Sequence, residues 1–254
     1  MKRFFTAVVC FVAVLAFCIN VCGYEVKLLE APYYNQVEKY KTACESISAV
    51  MALQALGFDI TPEEFIDDYL VKSPMARFNP NKAFGGDPYT KSGLGCYAPV
   101  IEDAVNRYLA DIGAEYQAVT IKNVSLEFLR QQYVSYDIPV ILWATSGMRE
   151  ASEGFEYNLN GTPTKWITPE HCLLWVGYDG NYYLFHDPEK EAYTRYTKEK
   201  VKVAYNALGS QSVVILPKSF VHKPFSVGAS VSPSTNAQLR QFSTPNFSKI
   251  NITY

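Results

Sequence analysis

From Tyr24 onward the chain alternates short apolar runs with polar turns, and its apolar spacing changes from helical to strand-like about halfway along. Ile47, Val50, Met51 and Ala55 recur at helical spacing, which predicts a helix ending before Gly57. Thr42-Ala43-Cys44-Glu45 has the capping-box pattern, with Thr42 as N-cap and Cys44 at the second helical position. A second box, Thr61-Pro62-Glu63-Glu64, opens a short helix through Leu70. Val100, Ile101, Ala104, Val105, Tyr108, Leu109 and Ile112 then mark a strongly periodic helix that begins at Pro99 and closes at Gly113.

The second half reads differently. Ala114 to Ile121 is strand-like, Ser125 caps a helix to Tyr133, and Ile138 to Trp143 is a buried strand with Pro139 near its start. The clearest hairpin joins His171–Tyr178 to Tyr182–His186 through Asp179-Gly180-Asn181. A short strand near Tyr193, a helix from Thr197 to Leu208 and a strand from Ser212 to Leu216 follow. Tyr24 to Glu30 is an edge-strand candidate, and 73–98 and 146–168 read as polar excursions. Helices first and antiparallel strands later predict an α+β fold with a helix packed on a sheet.

The two ends stand apart. Lys2 and Arg3 precede an apolar run from Phe4 to Val21, and small residues at Val21 to Gly23 suit cleavage before Tyr24. Residues 1–23 therefore read as a signal peptide, with an uncleaved anchor as the alternative, and the protein is expected to be secreted or extracytoplasmic. The domain spans 24–217. Residues 218–254, rich in Ser, Thr, Asn and Gln with scattered Phe, read as a disordered or loosely attached tail.

Apolar residues make up 48% of the chain, enough to offset the entropy of ordering it. A net charge of −2 lacks the basic footprint of a nucleic-acid binder. Cleavage would leave Cys44, Cys96 and Cys172, an odd number, so at least one thiol is free or bridges chains. A Cys96–Cys172 disulfide is compatible with export, but spacing alone does not fix pairing. Cys44, Cys96, His171 and Cys172 lack the close ligand pair of a zinc site, so neither metal nor cofactor is expected.

Chemistry centres on Cys44. A helix N-terminus favours an anion, and the thiolate is the nucleophilic form of cysteine; the plainer alternative is a small buried residue. His171 opens its strand and is a candidate base. Asp187, at the far end of the same hairpin, shares a face with His171 if the turn has three residues; a two-residue turn puts them on opposite faces. Gln36, just upstream of the Cys44 helix, can donate to an oxyanion beside the Cys44 N–H.

Taken in order, Asn35-Gln36, Thr42-Ala43-Cys44-Glu45-Ser46, Gly57, Gly95-Cys96-Tyr97-Ala98-Pro99, Ile138-Pro139-Val140-Ile141, His171 with Val176-Gly177-Tyr178-Asp179, and Asp187-Pro188 form a set. It resembles the papain-like cysteine peptidases related to the bacteriocin-processing, double-glycine-leader peptidases (cysteine-peptidase family thirty-nine), in their secreted, stand-alone form. The resemblance covers roughly Leu28 to Leu216. It implies a papain-like domain in which Cys44 is nucleophile, His171 base, Asp187 orienter and Gln36 part of the oxyanion hole, acting on peptide or isopeptide bonds. Two alternatives stay open: a thiol acyltransferase or cell-wall amidase using the same residues, and a catalytically silent binding module.

Overall fold

The computed structural model describes residues 25–159 and 161–221. The expected signal segment and most of the expected tail lie outside them. The spine of the domain is an antiparallel sheet built around one long strand. Strand β1 (Val26–Leu28) is followed by helix α1 (Cys44–Ala55), and a short helix α2 (Pro62–Glu64) runs into a wider turn at Phe65–Tyr69. Two minimal strands, β2 (Lys72–Ser73) and β3 (Phe84–Gly85), pair in the first excursion. Helix α3 (Ala98–Asp111), strand β4 (Tyr116–Lys122), helix α4 (Leu126–Gln132) and strand β5 (Val140–Thr145) complete the first half. The second half holds β6 (Ser152–Leu159), β7 (Thr162–Thr168), β8 (Glu170–Asp179), β9 (Tyr182–His186), β10 (Thr194–Thr197), α5 (Lys198–Ala207) and β11 (Gln211–Pro217).

The main sheet runs in the order β10-β9-β8-β5-β11-β4, with β1 also paired to β8. Its pairings are all antiparallel. β5 pairs with β8 from Glu170 to Trp175, and β1 pairs with it from Gly177 to Asp179. β1 can come this close because Gly177 has no side chain: a Cβ there would stand 2.2 Å from the Lys27 carbonyl oxygen. α1 packs on β8 and β5, α3 on β4 and β11, and α5 on β5, β9 and β10.

Three expectations change in detail. α1 is buried over every residue from Cys44 to Leu53 rather than along one stripe. Its small residues (Ser46, Ser48, Ala49, Ala52) let neighbours close in all around, as in a central core helix. The capping box at Thr42 does not form. Ala43 is the N-cap, Cys44 is the first helical residue, and the Thr42 hydroxyl instead donates to the Thr90 carbonyl at 3.1 Å. Thr61 does cap its helix, its Oγ1 accepting the Glu64 N–H. Finally, 146–168 is no loop but carries the β6–β7 hairpin. Its signal was present in Asn160-Gly161 and in the alternating Phe155, Tyr157 and Leu159.

That hairpin has its own small core of Phe78, Tyr157 and Trp166, with Trp166 stacked on Tyr97 at 5.1 Å. Between it and the Met75–Lys82 loop lies a cavity of about 610 Å³, lined in part by Arg77, Phe78, Lys82, Phe155 and Tyr157.

Candidate active site

The start of α1, the start of β8 and the loop after β9 converge, and each brings a side chain from the sequence-derived set. His171 Nε2 lies 2.8 Å from Asp187 Oδ1, both residues fully buried. The rest of the carboxylate is held as firmly. Oδ2 accepts the Tyr196 hydroxyl at 2.6 Å and Oδ1 also accepts the Glu189 N–H at 3.1 Å.

The way the fold brings His171 and Asp187 together was not legible from the turn. The hairpin turn has two residues, since Asp179 pairs with Tyr182. That register alone would separate the pair. A bulge at Val176 then absorbs one residue of β8, so Trp175 faces Phe185 and Leu174 faces His186. Carried one step further, Asp187 stands opposite Leu173, and His171, two residues along, shares its face. The bulge thus restores the pairing that a three-residue turn would have produced.

His171 Nδ1 is buried and has no hydrogen-bond partner. Asp187 therefore engages one ring nitrogen and leaves the other without a partner. The other buried histidine, His186, is committed elsewhere: Nε2 meets the Ala31 carbonyl at 3.0 Å and Nδ1 accepts the Tyr193 N–H. Burial would lower the His171 pKa, but the hydrogen bond and charge of Asp187, with Glu189 and Glu45 behind it, raise it. Burial likewise opposes ionisation of Asp187, yet its bonds to His171 and Tyr196 hold it below the ordinary carboxylate value.

Cys44 is 5% exposed, and its Sγ donates to Glu45 Oε2 at 3.3 Å rather than to His171. Burial pushes the thiol well up, and Glu45 and Glu170 push it further. Here the helix N-terminus is outweighed, because two carboxyl groups and the loss of water act against the thiolate at close range. Glu45 acts on both Cys44 and His171, as does Glu189, so thiol and imidazole share one electrostatic environment.

Gln36 is 3% exposed. Its Oε1 is buried without a partner, and its backbone is tied by the bond from its N–H to the Pro188 carbonyl, directly after Asp187.

Residues that the sequence reading left out are Glu45, Glu170, Glu189 and Tyr196. Their roles depend on contacts between distant segments, although Glu45 and Glu170 adjoin Cys44 and His171 in the chain. Cys96 and Cys172 are buried free thiols, unbridged to each other or to Cys44. Two groups of potential metal donors occur among the described residues: Cys44, Glu45 and Glu170, and His171, Asp187 and Glu189. Both coincide with this site, where Cys44 and His171 already engage carboxylates.

The chain is similar to several known proteins. A family model described as the Peptidase_C39 like family matches residues 28–213. The crystal structure of a candidate C39-like peptidase from Bacillus anthracis aligns with a TM-score of 0.69 at 25% identity, over 78% of this chain and all of that one. A double-glycine motif protease from an AMS/PCAT transporter, solved with its leader peptide, aligns at 0.44 and 15% identity, over 75% of this chain and 94% of that one. The peptidase domain of Streptococcus ComA aligns at 0.41 and 12% identity, over 74% and 98%. No curated protein sequence matches the chain. With the family model covering most of the α+β domain, the chain belongs to the Peptidase C39-like family.

Proposed function

We propose that this chain is an exported cysteine peptidase in which Cys44 attacks a peptide or isopeptide carbonyl. Family and fold support a peptidase function. The observation that carries the assignment of roles is the His171–Asp187 bond, which leaves Nδ1 buried and free. Because the resting thiol is held protonated, His171 acts as a general base at the moment of attack rather than as the partner of a preformed thiolate. The Sγ–H proton passes to Nδ1 as the Sγ–C bond forms. The Gln36 amide and the Cys44 N–H then receive the oxyanion. Collapse breaks the C–N bond, His171 returns its proton to the leaving amine, and water hydrolyses the thioester.

Export rests on the basic start and apolar run of residues 1–23. Among the described residues no helix is long and apolar enough to cross a membrane. N-terminal sequencing of the protein recovered from medium and from membranes tests export and cleavage together.

Cys44→Ala should abolish hydrolysis of peptide substrates; full activity in that variant would overturn the assignment. Products formed with added amines separate hydrolysis from acyl transfer. One observation favours a second reading, a binding module without turnover: the thiol rests on Glu45 under conditions that disfavour its ionisation. A Cys44 inert to electrophiles across pH, in a chain that still binds peptides, would decide for it.

A further inference from the structure

Glu45 and Glu170 take no part in the catalytic steps above, yet both lie beside the nucleophile. Glu45 is fully buried. Its Oε1 accepts the Cys96 N–H at 2.6 Å and its Oε2 accepts the Cys44 thiol at 3.3 Å. As the second residue of α1, it also lies where the helix field favours an anion.

Glu170 directly precedes His171 and reaches the same place from β8. Potential donor atoms of Cys44, Glu45 and Glu170 all lie within 4.8 Å of one another. Both carboxyl groups converge on Gly95, where a Cβ would stand 2.8 Å from Glu45 Oε1 and from Glu170 Oε2. The absent side chain is what lets them meet. Glu170 Oε1 is buried with no partner, and no described donor stabilises Glu170 as a carboxylate.

Two carboxyl groups this close, in so little water, cannot both ionise cheaply, and one keeps its proton. The donors around Glu45 make it the anion, which leaves the proton on Glu170. Burial, Glu45 and Glu189 all favour the protonated form of Glu170.

We propose that Glu45 and Glu170 form a carboxylate–carboxylic acid pair sharing one proton, and that this pair positions and gates the Cys44 thiol. With the proton in place the pair carries one charge, and the Cys44 S–H rests on Glu45. When the proton leaves, a second anion stands beside Cys44 and thiolate formation is suppressed. The titratable groups facing the pair are Cys44 from α1, Cys96 and Tyr97 from the segment before α3, His171 and Cys172 from β8, and Glu189 from the loop after β9. His171 is the one cation-forming group among them. The proposal extends the cysteine-peptidase reading by naming two positioning residues for its nucleophile.

The test is site-resolved alkylation of Cys44 by iodoacetamide as a function of pH, read by mass spectrometry of the Cys44 peptide. Glu170→Gln keeps the shape and removes the ionisable proton. It should speed alkylation above neutral pH at least tenfold, equivalent to one unit in the thiol midpoint. Glu170→Asp, which restores a titrating carboxyl, should return toward wild type. A Glu170→Gln curve superimposed on wild type, or equal shifts in both variants, would overturn the proposal. Infrared difference spectra of the wild-type protein give a reading that needs no variant. A protonated buried carboxyl band should persist at neutral pH and vanish on the alkaline side, and its absence at neutral pH would also overturn the pair. Neither readout requires turnover, so a wild-type chain that cleaves no peptide but shows these signatures would count against the peptidase reading alone.

Discussion

Replacing Asp187 separates its two jobs, orienting His171 and satisfying its neighbours. Asp187→Ala removes the acceptor for three donors: His171 Nε2–H, the Tyr196 hydroxyl and the Glu189 N–H. Each stranded buried donor costs about 1–3 kcal/mol, and removing one partner of a buried ion pair costs about 3–5 kcal/mol. The two estimates agree on roughly 3–5 kcal/mol, or about 6–20 °C in Tm at the ~2–4 °C per kcal/mol expected for a domain of this size. Asp187→Asn should behave differently. Its Oδ1 can still accept from His171 and Glu189, and the Tyr196 hydroxyl can turn to accept from the new amide, so the expected loss is only about 1 kcal/mol.

Charge is what the Asn variant does lose, and pH reports it. His171 is raised above its ordinary 6.5, so its stabilising contribution is complete below that value and fades as pH rises through the raised pKa. Asp187 is depressed below 3.8, so its contribution is complete above 3.8 and fades as pH falls through the depressed pKa. The stability gap between wild type and Asp187→Asn should therefore be widest between pH 3.8 and 6.5 and narrow on either side. Any activity limb set by His171 should move to lower pH in the variant, because the Asp187 charge no longer helps Glu189 and Glu45 oppose burial. Urea unfolding across pH measures the first effect and Cys44 alkylation the second. Ala and Asn variants of equal stability, or a gap independent of pH, would refute the reasoning.

Gln36→Leu should leave Tm unchanged or slightly higher, since it removes an unpartnered buried oxygen, while kcat on a peptide substrate falls ~10²–10³-fold; unimpaired turnover would remove Gln36 from the oxyanion hole. Gly177→Ala should detach β1, because its Cβ collides with the Lys27 carbonyl, at a cost of about 1–3 kcal/mol; hydrogen exchange at the Leu29 amide, which bonds the Val176 carbonyl, is the readout. Trp166→Ala should cost about 3–5 kcal/mol within the small hairpin core. Limited proteolysis should then cut 150–168 faster while the main unfolding transition moves little, and an unchanged cutting rate would mean the hairpin does not depend on that core. His186→Asn should lower stability but leave Cys44 alkylation as in wild type, whereas His171→Ala should change the alkylation profile.

Much of the architecture could be read directly from the chain, because helical and strand periods and glycine or proline punctuation are local signals. The helix that ends before Gly57, the α3 periodicity, the Ser125 cap, β9 and the ordered set of Gln36, Cys44, His171 and Asp187 all depend on nothing further away. The family resemblance followed from that order. The β6–β7 hairpin was legible too, in the Asn-Gly dipeptide and the alternating apolar residues before it, but a polar, charge-rich stretch masked it.

Other features were decided only by tertiary structure. Thr42 could have capped α1, but it found the Thr90 carbonyl, and Glu45 turned inward to the Cys96 N–H. The turn after Asp179 is two residues long, and only the Val176 bulge, beside the close approach of β1, brings His171 and Asp187 to one face. A helix N-terminus favours a thiolate, and the sequence left an activated and a plainly buried thiol both open, whereas burial and carboxyl groups from separate segments push the Cys44 pKa up. The physical division is one of range. Periodicity, capping preference and turn chemistry act over a few residues and are written in the chain, while strand register, desolvation and the electrostatics of converging segments exist only once distant residues share the same space.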